Sequence, residues 1–196
     1  VDLIIQENYG RMVSFRNGQI TSVPIVLGGS GFSLMPWLML ENLQADYGIV
    51  GEAEITLVHF LDHLERGQVP DQLAGVISAS SSTVSQLIAP ERFPSEDFLV
   101  PWRDKLANEA YLRFGGMGNV QTKRGCGFSC VYCTYPLIEG REVRLRPPKQ
   151  VGEEIQQLSD QGVDTFFIVD NVFNFPPHHA KSICREMVKR KLQVNW

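Results

Sequence analysis

No apolar run in the 196 residues reaches the roughly 18 needed to span a bilayer. Residues 1–30 lack the basic start and apolar centre of a signal peptide. Lysine and arginine gather into no block, and a formal charge of -4 leaves no basic face for a polyanion. The expectation is a cytoplasmic protein with neither membrane nor nucleic acid as partner. Cysteine is scarce as well: four residues, too few and too uneven for a disulfide framework. Cys126, Cys130 and Cys133 crowd one short stretch, Cys184 stands far downstream, and that clustering points to a metal.

The composition present is that of a globular chain, 43% hydrophobic and 20% charged. The chain starts without Met inside the apolar run 1–5 and stops at the strand-like Val194, Asn195 and Trp196. Both ends are expected to be cuts in a longer protein, and residues 1–196 alone are expected to be inactive.

Along the chain, residues 23–27 form a short β-branched run that ends in Gly28-Gly29-Ser30-Gly31. This predicts a buried parallel strand entering a Gly-rich loop. Pro36 with Leu38, Leu40 and Leu43 predicts a helix, residues 47–50 a second strand, and Ile55, Val58, Leu61 and Leu64 one face of another helix. The order β-α-β-α is half of a doubly wound sheet. A strand at 12–15 fits this poorly, because a parallel crossover to 23–27 needs a dozen or more residues; it must either pair with 23–27 as a hairpin or be followed by missing residues. Residues 68–118 change character, with serine dominating 78–85 and Pro at 90, 94 and 101, and read as a connector with a few short strands. From Asn119 the alternation returns: a strand at 120–123, a cysteine loop, a helix with Val151, Ile155 and Leu158 in register, a strand at 165–169, and a helix carrying Ile183, Met187 and Val188.

The spacing Cys126-x-x-x-Cys130-x-x-Cys133 lets one loop wrap three corners of a cubane cluster and leaves the fourth iron open. The competing chemistry is zinc, but zinc modules bring a second ligand pair from a distance, and Cys184 sits inside a helical pattern. With Tyr132 directly before the last cysteine and the loop following the first strand of an α/β unit, the segment resembles the radical S-adenosylmethionine (SAM) superfamily. The resemblance implies a 4Fe-4S cluster on Cys126, Cys130 and Cys133, SAM chelating the open iron, and reductive cleavage to a 5'-deoxyadenosyl radical. It also implies an electron donor such as flavodoxin or ferredoxin, and places Tyr132 beside the adenine. Asp170 and Asn171, after the second strand, fall where that superfamily has a Gly-Gly-Glu-like element meeting the SAM amino group. Here no glycine precedes the acid, and an N-cap or turn role competes for both residues. Arg144 and Arg146 read first as loop solvation and second as a carboxylate site.

The string 24–33, followed by 45–54 with Gly51-Glu52-Ala53-Glu54, resembles the C-terminal half of the cobalamin-binding domain that precedes the radical SAM barrel in one subfamily. By that resemblance Gly28, Gly29 and Ser30 lie against the cobalamin nucleotide tail. The Asp-x-His-x-x-Gly element of some cobalamin domains is absent, and His59 and His63 read as core or surface histidines.

The fold expected is therefore α/β: residues 1–67 the end of a Rossmann-like cobalamin-binding domain, 68–118 a connector, and 119–196 the first part of a radical SAM barrel. The implied function is a cobalamin-dependent radical SAM enzyme acting on a small-molecule substrate, by methyl transfer to carbon or by rearrangement. The alternatives are a radical SAM enzyme without working cobalamin, and a non-catalytic metal or cobalamin sensor.

Overall fold

The computed structural model describes residues 24–80, 88, 90–95, 98, 100–101, 103 and 108–196, and residues 3–5, 13–16 and 19–20 by their backbone, as it does 108–109. Met12, Val23 and residues 81–85, named above, lie outside the described residues. The chain forms two compact units, Val1–Phe93 with Leu137–Glu139, and Pro94–Pro136 with Gly140–Trp196.

In the first unit, β1 (Leu3–Ile5), β2 (Val13–Arg16) and β3 (Gln19–Ile20) make an antiparallel sheet in that order. The crossover problem dissolves: β2 turns back onto β3, and the run that follows belongs to another sheet. That second sheet has β4 (Val26–Leu27) parallel to β5 (Tyr47–Ile49), joined through α1 (Gly29–Leu34) and α2 (Pro36–Leu43). Pro36 opens α2, where its missing N–H would have had no helical partner. After α3 (Thr56–Glu65), β6 (Val76–Ser78) adds antiparallel to β5. This third strand lies within the stretch read as connector, so the sheet is β4-β5-β6 with a mixed sense. Alternation along the strands feeds two cores: Ile25, Leu27, Phe32, Leu40 and Ile77 in one, Ile49, Phe60 and Val76 in the other. Gly48 is required by this packing, because a Cβ there would lie 2.0 Å from the Phe32 ring.

The second unit opens with α4 (Asn108–Arg113) and β7 (Gly118–Val120). A ribbon of β8 (Lys123–Arg124) and β9 (Arg144–Leu145) pairs antiparallel, with the short α5 (Tyr135–Ile138) between them in sequence. Then follow α6 (Pro148–Asp160), β10 (Phe166–Ile168) and α7 (Pro177–Lys189). β7 and β10 are parallel with Val120 opposite Ile168. The strand expected at 120–123 is thus two short pieces, because the chain leaves the sheet after Val120 and starts the ribbon at Lys123. Val151, Ile155 and Leu158 of α6 meet Val120, Phe166, Ile183 and Met187 in one buried core. Each such side chain contributes about 1.5–3 kcal/mol, so this single apolar stripe holds both helices on the strands. After α7 the chain returns to the sheet at Asn195, bridged parallel to Thr165.

His179, 3% exposed in the first turn of α7, docks the helix on the end of the strand. Its Nε2 lies 3.2 Å from the Thr122 carbonyl and must carry the proton, since a carbonyl only accepts. Burial, then the Lys123 charge, hold its pKa below the ordinary 6.5, against the opposing pull of the Thr122 bond and Asp170.

Two outcomes follow from this packing. Gly48→Ala should lower the urea midpoint by the equivalent of about 1–3 kcal/mol, since the Phe32 ring must move; an unchanged midpoint would contradict the contact. A histidine kept neutral when folded binds protons better unfolded, so its contribution is present above pH 6.5 and lost as pH falls below it. The fall in melting temperature on acidification through that range should be shallower in His179→Gln.

Candidate functional site

Three loops carry the candidate residues, two in the second unit and one in the first. In the second unit the cysteine loop is clasped at its base by the β8–β9 ribbon. Gly125 enters it at φ +83°, and a Cβ there would sit 1.9 Å from the Glu142 carbonyl oxygen, so only glycine fits. Next, the Cys126 N–H donates to the Gly140 carbonyl at 3.0 Å, and the Cys133 N–H to the Cys130 carbonyl at 3.2 Å. Arg141 reaches the Phe128 carbonyl and the Ser129 hydroxyl at 3.4 and 3.3 Å.

All three loop cysteines are free thiols: Cys126 buried, Cys133 half-buried and Cys130 exposed. Among the described residues no three His, Cys, Asp or Glu side chains gather round one point as a single ion would need. A lone tetrahedral ion draws its sulfurs to within about 4 Å of one another. A cubane takes one thiolate at each of several corners, and three unpaired thiols spread along one loop fit it. Tyr132 stands at the tip, 86% exposed, beside a fully exposed Val131. Cys184 lies on α7, outside the loop.

Asp170 and Asn171 follow β10. The Asp170 carboxylate is wholly buried and turned toward the foot of the cysteine loop, where Lys123 meets it at 3.0 Å with 3% of its own side chain exposed. Breaking a buried pair of this kind from one side typically costs about 3–5 kcal/mol. Asn171 beside it is half-buried. Arg144 and Arg146 are both buried. The Arg144 guanidinium lies 5.7 Å from the Phe98 ring centroid. Arg146 pairs with Glu154 at 2.8 Å and donates to the Gln121 carbonyl at 2.6 Å, so both arginines are tied into the protein.

In the first unit, Gly28, Gly29, Ser30 and Gly31 are exposed at the carboxyl end of β4. Gly29 has φ +88°. A Cβ at Gly29 or Gly31 would meet no atom within 4 Å, and one at Gly28 only the Ile49 carbonyl oxygen at 3.8 Å. Unlike Gly48, these glycines leave open room, as a flat bulky ligand such as the cobalamin tail would need. Sequence reasoning passed over Ser33. Its hydroxyl donates to the Gly29 carbonyl at 2.8 Å and accepts the Gly51 N–H at 2.9 Å, tying the loops after two adjacent parallel strands. The signal was there in principle, since ligands of α/β sheets gather at such strand ends. His59 and His63 sit together on α3, His59 exposed and His63 with its Nδ1 2.7 Å from the His59 carbonyl oxygen, in keeping with surface histidines. No helix among the described residues is long and apolar enough to cross a membrane.

No family model matches the chain. It is 24% identical over 222 aligned positions to a tryptophan 2-C-methyltransferase of Streptomyces laurentii, covering 88% of this chain and 37% of that protein. An uncharacterized methyltransferase of Synechocystis sp. is 31% identical over 149 positions, 76% of this chain and 24% of the relative. Among solved structures, the radical SAM methyltransferase TsrM of Kitasatospora setae, with cobalamin and a 4Fe-4S cluster bound, superposes with a TM-score of 0.73 at 29% identity, over 86% of this chain and 34% of that one. The chain thus spans well under half the length of each. The mixed α/β fold matches that of the solved enzyme, and the relatives and structural neighbours of the chain are cobalamin-dependent radical SAM methyltransferases and related enzymes.

Proposed function

We propose that this chain supplies the cluster loop and the cobalamin-facing loop of an enzyme that transfers a methyl group to carbon, or rearranges the skeleton, of a small-molecule substrate. The observation that carries the reading is the set of three free thiols in one loop, clasped by a ribbon just past the carboxyl end of parallel strand β7. On this reading the thiolates of Cys126, Cys130 and Cys133 hold three irons and leave the fourth to the amino and carboxylate groups of SAM. When bound, the cluster supplies the electron that cleaves the sulfonium bond to a 5'-deoxyadenosyl radical. Tyr132 lies along the adenine, and Asn171, which follows Asp170 after β10, meets the SAM amino group. Gly28, Gly29 and Ser30 take the cobalamin tail against bare backbone. Reducing power comes from a flavodoxin or ferredoxin type of donor in the cytoplasm.

The first unit then corresponds to the end of a Rossmann-like cobalamin domain and the second to the opening of a radical SAM barrel. Of the limits expected from sequence, 1–67 falls inside the first unit, 68–118 runs across the boundary at Phe93 and Pro94, and 119–196 falls in the second unit apart from Leu137–Glu139.

Anaerobic purification of the full-length protein, with iron, sulfide and cobalamin counted, tests the proposal. Replacing Cys126, Cys130 or Cys133 by Ala should bring iron to background and stop SAM cleavage, while Cys184→Ala leaves both. Iron that survives the loss of Cys130 but not of Cys184 would refute the ligand set. Gly28→Val or Gly29→Val should lower the cobalamin content and spare the iron, because a branched side chain fills the open approach; unchanged cobalamin in both variants would reject the assignment of that loop.

A further inference from the structure

Each oxygen of the buried Asp170 carboxylate is turned to the foot of the cysteine loop. Oδ1 accepts the Thr122 backbone N–H at 2.7 Å, and Oδ2 accepts the Thr122 hydroxyl and the Lys123 ammonium. Lys123 donates also to the Phe173 carbonyl at 3.2 Å, in the same loop as Asp170. Further along that loop, the Phe175 ring packs on Phe128, centroids 4.7 Å apart, and Phe128 lies between Cys126 and Cys130. The loop after β10 therefore grips the cysteine loop twice, at its root and near its first two cysteines.

We propose that residues 170–175 are a brace that holds the cysteine loop in its cluster-binding shape, with Asp170 and Phe175 as positioning residues. The proposal rests on the reading of that loop as a cluster site. Asp170 does two things at once. It neutralises Lys123, and it fixes the direction in which the chain leaves β7 by capping the Thr122 N–H. From there Gly125 admits no side chain and the Cys126 N–H is bound to Gly140, so the path from strand to first cysteine is fixed at each step. Phe175, 39% exposed, covers the loop by apolar contact alone. Buried as it is, the Asp170 carboxylate reaches SAM only by leaving Lys123, so this assignment and a SAM contact are rival roles for one group.

The full-length protein, reconstituted anaerobically, separates them through three readouts: melting temperature, the rate of iron loss to EDTA, and SAM affinity by equilibrium dialysis. Asp170→Asn and Thr122→Val should each release iron at least about tenfold faster than wild type, the scale at which outer partners tune metal sites. The double variant Lys123→Met with Asp170→Leu removes the ion pair as a unit and should recover the melting temperature. It should still release iron fast, because the Thr122 anchor is gone; a purely structural pair would recover both. Phe175→Leu, at a partly exposed ring, should keep the wild-type melting temperature and lose iron faster. Wild-type iron retention in Asp170→Asn together with lost SAM affinity would overturn the brace in favour of a SAM contact. Wild-type retention in the double variant would overturn it outright, and in Phe175→Leu would remove the second grip. A wild-type protein that takes up no cluster would sink the proposed function along with this inference.

Discussion

An ammonium group withdrawn from water costs several kcal/mol unless an opposite charge and well-placed acceptors receive it. Lys123 is withdrawn almost completely, and the position of its counter-charge follows from the sheet. β7 and β10 run parallel with Val120 opposite Ile168. Two residues beyond each strand, the same register sets Thr122 beside Asp170, and the carboxylate receives the Thr122 N–H, the Thr122 hydroxyl and the neighbouring ammonium. Strand register thus becomes loop geometry: the segment that leads to Cys126 departs from a point fixed by hydrogen bonds on both oxygens of one buried acid. His179 completes the fixing from the helix side by donating to the Thr122 carbonyl.

This arrangement explains what was legible in the sequence. The cysteines were legible because their geometry is local, as were Val151, Ile155 and Leu158, whose spacing puts them on one face of α6. The clasp of Asp170 with Thr122 and Lys123 spans 48 and 47 positions, and no local period announces a pair at that distance. Asp170 and Asn171 were picked out for their place after a strand, while the direction in which Asp170 turns comes only from the strand pairing. β6 was foreseen only as one of a few short strands in the connector, and its place in the sheet stayed hidden for a different reason. Val76, Ile77 and Ser78 are all buried, so the strand shows no alternation, and the serines that follow it resemble a linker.

Glycine divides along the same line. Gly48 and Gly125 are demanded by the chain's own atoms, an aromatic ring in one case and a carbonyl oxygen in the other. Gly29 and Gly31 face open space. In sequence all four look alike, which is why a lone Gly-Gly pair says little about ligands. Once the neighbours are known, Gly48 and Gly125 are set apart by the atoms a side chain would meet, and Gly29 by its φ of +88° alone. Ser33 belongs with Gly29, since its hydroxyl holds the Gly29 loop and the Gly51 loop at a set distance.

The two edges of the small sheet of β7 and β10 are treated differently. In a strand, successive backbone groups point to opposite edges. On the β10 side, the Gly118 N–H and the Val120 carbonyl are bonded to Thr165 and Val169. The carbonyls of Asn119 and Gln121 point to the other edge, where they are met by Arg103 and Arg146 side chains, both gathered on the buried Glu154. Guanidinium groups in those positions occupy the acceptors that an incoming strand would use, which is one way of closing an edge. The far edge of β10 has no such cover among the described residues. There the Phe166 N–H donates to the Asn195 carbonyl and the Asn195 N–H to the Asp164 carbonyl, both at 2.8 Å, as the chain returns from α7. The sheet is therefore sealed by charge beside its first strand and paired through backbone groups beside its second, where the chain returns at Asn195.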